Sequence, residues 1–191
     1  MTITPMPAAT LAALLATYRQ MYRARQIDRI EVEYVRRGEA FFSVSGAGHE
    51  ATAVLADFLG KDDWLHCHYR DKALMLARGI GAWMFFLCLF NKDGSHSRGR
   101  QMNAQMSAPE LKVMSQVCPV GNGALQSVGV ASVVKDQAAR PIVLCSLGDG
   151  MTQQGEVYEA IAQAVRDTLP VLFLIQDNAL ALSTPTTGRT F

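Results

Sequence analysis

Two short apolar runs, residues 142–147 and 171–175, are the clearest signal in the pattern of hydrophobic and polar positions along the chain. Both are rich in Val, Leu and Ile, which predicts strands buried on both faces of a parallel sheet. Residues 155–167 between them have an apolar residue at every fourth position, which is typical of a helix with one buried stripe. These positions are Val157, Ile161 and Val165.

The order strand, helix, strand predicts a crossover unit and determines which strand ends meet. Thr152 is a suitable cap for the helix, and Pro170 prevents the helix from continuing. Such connections are right-handed and join parallel strands, so the carboxyl ends of both strands lie at one edge of the sheet. Asp149 follows the first strand and Asn178 follows the second, and we expect both side chains at that edge.

This pair of side chains suggests a magnesium site. Mg²⁺ binds carboxylate and amide oxygens and completes its shell with water and phosphate oxygens. Asp149 and Asn178 are too few to enclose the ion, so a phosphorylated cofactor should supply further ligands. A helix that starts just after Gly150 offers free N–H groups and a positive dipole end to a phosphate, and Gly148 lets the backbone approach closely. Alone, a Gly-Asp-Gly turn is a weak motif that mostly marks ordinary turns.

The rest of the chain is predicted to be mainly helical. Helical spacing of apolar or small residues marks the segments 8–37, 48–59, 71–90 and 119–135. The first should end near Gly38, and the third should be broken near residues 79–81. Residues 91–109 are a polar loop, and loops of that length usually bind a ligand or are disordered.

Composition and charge narrow the class of protein. Eighteen basic and seventeen acidic residues in 191 give a net charge of +1, so nothing electrostatic points to nucleic acid or a membrane. The apolar run 82–90 is too short to span a bilayer, and no signal-peptide pattern is present, which predicts a cytoplasmic protein.

The cysteines are too widely spaced for a zinc site or a disulfide framework, so buried reduced thiols are expected. They are Cys67, Cys88, Cys118 and Cys145.

Several further motifs connect the Gly-Asp-Gly turn to a known family. Besides residues 148–156 and 177–185, they are Tyr22-Arg23 with Gln26-Ile27-Asp28, residues 45–51, His68-Tyr69-Arg70-Asp71, and residues 97–102. In this order they resemble the alpha part of the thiamine diphosphate-dependent first component of 2-oxo acid dehydrogenase complexes. Residues 97–102 are most similar to the branched-chain, or 2-oxoisovalerate, type. The resemblance covers nearly the whole chain.

The resemblance implies an α/β fold in which a parallel sheet flanked by helices binds thiamine diphosphate and magnesium. Residues 1–191 would form one cofactor-binding domain, with residues 1–40 as its N-terminal helical segment. The sequence ends in a loop that the family places over the active site, so we expect the domain to be incomplete at its carboxyl end.

The resemblance also assigns roles to individual residues. Asp149 and Asn178 would bind magnesium, together with the backbone carbonyl of Leu180. Tyr69 and Arg70 would hold the diphosphate, which a guanidinium fork matches better than an ammonium group does. The other cofactor-lining positions are Cys118, Val120, Gly148, Gly150, Met151 and Thr152, with Val120 against the rings of the cofactor.

Two histidines have different expected roles, and the chain departs from the family pattern at two places. His68 is a candidate catalytic residue on the substrate side, whereas His66 is expected to have an ordinary structural role. The chain has Asp177-Asn178 where the family usually has two Asn residues, but it retains the Asn that should bind metal. Ala179-Leu180 replaces the usual Gly-Tyr and removes a tyrosine from the wall of the site.

The implied activity is oxidative decarboxylation of a 2-oxo acid, of the branched-chain type, with acyl transfer to a lipoyl group. The implied partners are a lipoyl-bearing acyltransferase and a beta part, fused or separate, that supplies the glutamate that activates the cofactor. Two alpha and two beta parts would form the assembly. The 191-residue chain alone would then hold half of an active site, bind the cofactor weakly and show no turnover.

Three alternatives remain open. Asp177-Asn178 favours a transketolase-like thiamine enzyme, although residues 97–102 disfavour it. A nicotinamide-dependent oxidoreductase is less favoured because no Gly-x-Gly-x-x-Gly follows a strand. The third alternative is an inactive assembly fragment.

Overall fold

The computed structural model describes residues 8–189, so the predicted positions 1–7 of the N-terminal segment and residues 190–191 lie outside the described part. The helices are α1 (Ala8–Arg36), α2 (Lys72–Arg78), α3 (Ala82–Leu89), α4 (Asn122–Val134) and α5 (Gly155–Arg166). The strands are β1 (Trp64–His66), β2 (Val143–Gly148), β3 (Val171–Gln176), β4 (Leu180–Ala181) and β5 (Thr184–Pro185). The 3₁₀ helices are Glu50–Asp57, Pro109–Leu111 and Asp149–Gln153.

Strands β1, β2 and β3 form a parallel sheet with β2 in the centre. Leu144 of β2 lies opposite Leu65 of β1 and Leu172 of β3. Helix α5 connects β2 to β3, so the predicted crossover unit is confirmed. Asp149 and Asn178 therefore both follow carboxyl ends of strands at the same edge of the sheet. Strands β4 and β5 form a separate antiparallel pair.

Helices cover both faces of β2. On one face, α1, α2 and α3 pack with Leu65 and Leu144 in one buried cluster. On the other face, α4 and α5 pack with Val143 and Cys145 in a second cluster. Every residue of β2 is buried, and a fully buried Val or Leu side chain contributes roughly 1.5–3 kcal/mol. The predicted α/β class, a parallel sheet flanked by helices, is confirmed.

Strand β3 and helix α5 differ in burial from the prediction. Strand β3 is the last strand of the described sheet, and Leu172 is 47% exposed, so burial on both faces is wrong for this strand. Val165 is 76% exposed, whereas Ala160 and Ala164 are buried beside Val157. At 3.6 residues per turn, a residue seven positions after Val157 lies closer to its face than one eight positions after it.

The start of α5 and the segment before β1 also differ from the prediction. Helix α5 begins at Gly155, and its N-cap residue is Gln154, so the prediction that Thr152 caps it is wrong. Thr152 lies in the 3₁₀ helix Asp149–Gln153, where its hydroxyl donates to the carbonyl of Asp149 at 2.7 Å. Residues 48–59 contain a 3₁₀ helix rather than an α-helix.

The predictions for the N-terminal half hold more closely. The first helical segment is one helix that ends two residues before Gly38, where φ is 71°. The predicted break between α2 and α3 is confirmed, and Gly79 there has φ 117°, which suits glycine.

Within residues 8–189, no helix combines the length and the apolar content needed to cross a membrane.

A buried ion cluster connects α1 to α2. The ammonium of Lys72, which is fully buried, donates to Asp28 at 2.5 Å and to Glu31. Asp28 also accepts from the hydroxyl of Ser45 at 3.0 Å and from the backbone N–H of Gly46 at 2.9 Å. The cluster therefore also holds the loop after α1, and this loop contacts the backbone of Arg70.

Candidate functional site

A cavity of about 290 Å³ opens at the carboxyl edge of the sheet. Four segments form it: the turn after β1, the chain just before α4, the turn after β2 and the β4 region. It is lined by His68, Tyr69, Arg70, Val120, Gly148, Asp149, Gly150, Met151, Gln154, Leu180, Ala181 and Leu182. The structure thus brings nine of the twelve predicted site residues into one cavity wall, and Gln154, Ala181 and Leu182 are additions that the sequence analysis missed. The three residues lie within the family motifs at residues 148–156 and 177–185, but nothing in the sequence distinguished their side chains from the neighbouring ones.

Arg70 provides the positive charge of the cavity. Its guanidinium lies 4.9 Å from the ring centroid of Tyr69. Within the described residues it forms no hydrogen bond or ion pair, so its donors are available to a ligand. A Cβ on Gly148 would lie 3.4 Å from Nη1 of Arg70, which places the guanidinium beside the end of β2. A Cβ on Gly46 would lie 2.5 Å from the carbonyl oxygen of Arg70, so Gly46 allows this backbone position.

His68 contributes an uncommitted polar atom to the cavity. The residue is buried, and its Nε2 has no hydrogen-bond partner within the described residues. Burial, with the nearby charges of Arg70 and the other histidines, lowers the pKa of His68 to about 3. The ring is therefore neutral near pH 7. A Cβ on Gly148 would lie 3.4 Å from Nε2, so this nitrogen also faces the end of β2.

Asp149 provides the negative charge. It is buried, and its Oδ2 accepts from the hydroxyl of Thr186 at 2.5 Å. Burial opposes ionisation, but the hydrogen bond from Thr186, the interaction with the Asp177 side chain and the N–H groups of Gly150 and Asp149 itself outweigh it and lower the pKa of this carboxyl. Asp149 is therefore a carboxylate at neutral pH, with a second acidic side chain beside it. The role of Thr186, 37 residues away in the chain, had no sequence signal.

The segment after β3 folds back over this carboxylate. The amide oxygen of Asn178 accepts from the backbone N–H of Leu180 at 3.0 Å, and the side chain is exposed and does not line the cavity. Leu180 lines the cavity. A Cβ on Gly150 would lie 2.6 Å from the Cβ of Ala181, so only glycine permits this contact between the two turns.

Two other predicted residues lie outside the cavity wall. Cys118 is exposed, with its Sγ 3.8 Å from Sδ of Met102, so it differs from the buried thiol that was expected. Thr152 is buried behind the turn after β2 and bonds to the carbonyl of Asp149. Cys67, Cys88 and Cys145 are buried and free, as predicted.

A second cavity of about 30 Å³ adjoins the first and is lined by His66, Gln116, Gly123 and Ser146 among others. Both ring nitrogens of His66 are buried without partners in the described part of the chain, and so is Oε1 of Gln116. A space of this size holds about one water molecule. Burial lowers the pKa of His66, so its ring is neutral too. A Cβ on Gly123 would lie 2.0 Å from Cε1 of His66, so His66 packs directly against α4.

The residues in the larger cavity fit a diphosphate and a divalent cation. A free guanidinium, an unpartnered imidazole nitrogen and glycine backbone suit phosphate oxygens. Asp149, with Asp177 beside it, offers the oxygen ligands that a hard cation prefers. The described residues contain no cluster of three His, Cys, Asp or Glu side chains suited to a metal, so such a cation needs amide, backbone or ligand oxygens as well.

The fold and the cavity define a class: an α/β protein with a guanidinium, a carboxylate and glycine backbone around a cavity at the carboxyl edge of a parallel sheet. Comparison with known proteins identifies the family within this class. The sequence model of the family described as Dehydrogenase E1 component matches residues 18–190, and the chain belongs to this family. The predicted family resemblance is thereby confirmed, in preference to the transketolase-like and nicotinamide-dependent alternatives.

Individual relatives agree with this assignment. The chain is 32% identical over 192 residues to the 3-methyl-2-oxobutanoate dehydrogenase subunit alpha of Mycobacterium tuberculosis (strain ATCC 25618 / H37Rv), covering 97% of the chain and 47% of the relative. It is 30% identical over 181 residues to the pyruvate dehydrogenase E1 component subunit alpha of Bacillus subtilis (strain 168), covering 94% and 46%. The mitochondrial 2-oxoisovalerate dehydrogenase subunit alpha of Mus musculus is 28% identical over 177 residues, with coverage of 92% and 40%. The chain thus spans less than half the length of each of these relatives.

Proposed function

We propose that the chain is the alpha part of the first component of a 2-oxo acid dehydrogenase, and that its cavity holds the diphosphate and the magnesium ion of thiamine diphosphate. One observation carries this proposal. The unpaired guanidinium of Arg70 and the low-pKa carboxylate of Asp149 line the same cavity, with the glycine backbone of the turn after β2 between them.

Nearly every predicted site residue has a role in this proposal. Arg70 donates to the diphosphate, and Tyr69 supports the guanidinium through its ring. The backbone of Gly148, Gly150 and Met151 approaches the phosphate oxygens, and Thr152 supports this turn from behind through its bond to the carbonyl of Asp149. Asp149 and the carbonyl of Leu180 bind the magnesium ion, and the amide oxygen of Asn178, which is exposed in this structure, joins them once its side chain turns toward Asp149. Val120 supplies an apolar wall for the rings of the cofactor, whereas Cys118 is exposed outside the cavity wall and has no role in this proposal.

Thiamine diphosphate supplies, when bound, a thiazolium ring that adds to the 2-oxo carbon and accepts the electron pair released with carbon dioxide. The residues of this chain anchor and orient the cofactor. Arg70 would neutralise diphosphate charge, and Asp149 would hold the cation that accompanies the diphosphate. His68, neutral and buried, has one uncommitted nitrogen with which it accepts or donates a hydrogen bond on the substrate side. We assign it that role.

The proposed substrate is a branched-chain 2-oxo acid. The similarity of residues 97–102 to the branched-chain type supports it, as does the name of the Mycobacterium tuberculosis relative. Pyruvate is the natural comparison substrate, because the Bacillus subtilis relative is a pyruvate dehydrogenase subunit with similar identity. Decarboxylation rates with 3-methyl-2-oxobutanoate and pyruvate, measured in a reconstituted assembly, decide between them.

The proposed partners complete the active site and receive the product. A beta part supplies the glutamate that activates the cofactor, and a lipoyl-bearing acyltransferase accepts the acyl group. The relatives that are named as alpha subunits support a separate beta part. We propose two alpha and two beta parts for the assembly, and a cytoplasmic location.

Binding of the cofactor tests the central proposal. Titration of thiamine diphosphate into the chain should give a calorimetric signal that requires Mg²⁺. Asp149→Ala should abolish the magnesium dependence, because it removes the principal carboxylate ligand. Asp136→Ala, which changes an exposed carboxylate just after α4, is the matched control and should leave binding unchanged. Magnesium-dependent binding that survives in Asp149→Ala would refute this assignment.

A further inference from the structure

A cluster of three buried polar side chains lies behind the wall of the larger cavity. We call Asp71, Ser146 and Gln176 the Asp71 cluster; all three are at most 4% exposed, and none lines that cavity. Nε2 of Gln176 donates to Oδ1 of Asp71 at 2.7 Å and lies 2.7 Å from Oγ of Ser146. Gln176 therefore joins the other two side chains across the sheet.

The three residues come from three of the segments that carry the site. Asp71 directly follows Arg70, Ser146 lies in β2 shortly before Asp149, and Gln176 ends β3. Asp71 also closes the turn that carries the arginine, because its Oδ2 accepts from the backbone N–H of His68 at 2.7 Å. The Asp71 cluster is thus a side-chain connection between the turn after β1 and the ends of β2 and β3.

This connection is a costly way to stabilise a core. Burial raises the pKa of Asp71 to about 6, in spite of hydrogen bonds from Ser146, His68 and Gln176. Oε1 of Gln176 is buried without a partner in the described part of the chain. Burying a carboxylate and leaving an amide oxygen unpaired both cost desolvation energy that apolar residues of similar size would not incur. Stability alone therefore does not explain the cluster.

We propose that Asp71 is a positioning residue that fixes the distance between Arg70 and the turn after β2, so that the guanidinium and the backbone at Gly148 hold the same diphosphate. This inference rests on the proposed function of the cavity. Asp71 touches no ligand itself and acts through the turn 68–70 and through Gln176.

Exchange of the two hydrogen-bonding groups tests the proposal. In Asp71→Asn, one carboxylate acceptor becomes an amide donor that faces the Nε2 donor of Gln176. In Gln176→Glu, two carboxylates face each other. The double variant Asp71→Asn/Gln176→Glu restores complementarity: the amide oxygen of the new Asn accepts from His68, its amide donates to the new carboxylate, and Ser146 donates to that carboxylate.

Affinity for thiamine diphosphate and for inorganic pyrophosphate, each measured by calorimetry with Mg²⁺, is the readout. Each single variant should weaken the binding of both probes roughly tenfold, the change that corresponds to the loss of about one buried hydrogen bond. The double variant should regain most of the affinity, because it restores the hydrogen bond between the two side chains in reversed polarity. Circular dichroism shows whether each variant is folded; if Asp71→Asn is not, Gln176→Met removes the same bond and should show the same loss.

Asp63→Asn is the matched control. Asp63 also accepts two backbone hydrogen bonds, from Gly60 at 2.7 Å and from Ile142 at 2.8 Å, but at the amino ends of the strands. It should reduce stability without changing affinity for pyrophosphate. Measurable binding by the parent chain with unchanged affinity in the folded single variants would overturn the positioning role and leave the proposed function standing. Failure of the double variant to recover would also overturn it, and absence of binding by the parent chain would overturn both proposals.

Discussion

At the residue scale, burial and neighbouring charges give the cavity side chains properties that their residue types alone do not have. His68 is held neutral and Asp149 is held ionised, although the two lie in the same wall. The guanidinium of Arg70 lines the same wall without an ion-pair partner in the described residues. Both pKa values are lowered, and two perturbed titratable groups in one cleft are a mark of functional sites.

Arg70→Ala should weaken binding of thiamine diphosphate by about 1.5–3 kcal/mol, the usual contribution of hydrogen bonds to a charged group. Arg70→Lys should recover part of this loss, because it keeps the charge but not the fork. Calorimetry with Mg²⁺ measures both effects. Arg166→Ala, which changes an exposed arginine at the end of α5, is the control. Equal affinity of Arg70→Ala and the parent chain would remove Arg70 from the site.

His68 should make stability depend on pH. Its pKa is about 3 in the folded chain and near 6.5 when unfolded, so between these values the unfolded state binds the extra proton. The free energy of unfolding should therefore fall as pH drops below about 6.5, by at most about 1.4 kcal/mol per pH unit from this residue. His68→Gln should flatten that slope in urea unfolding at pH 5 to 7.5. His66 contributes in the same direction, so part of the slope should remain.

Unfolding measured above pH 7 provides an internal control. There His68 is neutral in both the folded and the unfolded state, so the difference in unfolding free energy between the parent chain and His68→Gln should be constant. An identical slope below pH 6.5 in the two proteins would show that His68 is not held neutral by the fold.

At the element scale, the site depends on short turns that helices and strands bring to one edge. The crossover unit places the turn after β2 beside the segment after β3. The turn after β1 reaches the same edge because β1 pairs in parallel with β2, with Leu65 opposite Leu144. The buried ion cluster of Lys72 then holds α1 and α2 together behind this turn.

Lys72→Met should destabilise the chain by about 3–5 kcal/mol, because it leaves Asp28 and Glu31 without a cation in the core. Burial already raises the pKa of Glu31, and Lys72 opposes this. Chemical unfolding measures the effect. Arg37→Met, which removes an exposed ion pair with Glu39, should change stability little, since such pairs contribute about 0–1 kcal/mol. A comparable small effect in both variants would mean that the cluster adds nothing to stability.

At the scale of the whole molecule, the chain spans less than half the length of the relatives to which it was compared. The cavity contains groups for a diphosphate and a cation, while the glutamate that activates the cofactor is assigned to a beta part. The proposed enzyme therefore needs more polypeptide than residues 8–189 to complete its chemistry.

We expect the 191-residue chain to bind thiamine diphosphate weakly and to show no 2-oxo acid decarboxylation by itself. Addition of a beta part from a branched-chain dehydrogenase should produce carbon dioxide release if the two associate, and Asp149→Ala should abolish that release. Release of labelled carbon dioxide from 3-methyl-2-oxobutanoate is the measurement. Decarboxylation by the purified chain alone would overturn the division of the site between two parts.

Much of the fold followed from local patterns, and the failures have physical causes. The crossover unit and the break at Gly79 were predictable because strand runs and glycine signals are local. Strand β1 was missed because Trp64–His66 is three residues long and has no periodicity to detect. The half-exposed face of β3 was missed because an apolar run predicts a strand but not its position in the sheet.

The sequence by itself determined the family, the parallel crossover and the placement of Asp149 at a strand end, because residue order, spacing and the handedness of chain connections are sufficient for these. Only the tertiary structure decided the electrostatics and the support of the site: the hydroxyl of Thr186 on Asp149, the neutral His68 and the bond from Gln176 to Asp71. These depend on burial and on contacts between residues far apart in the chain. No local pattern encodes such contacts, because they exist only once the three strand ends have been brought together.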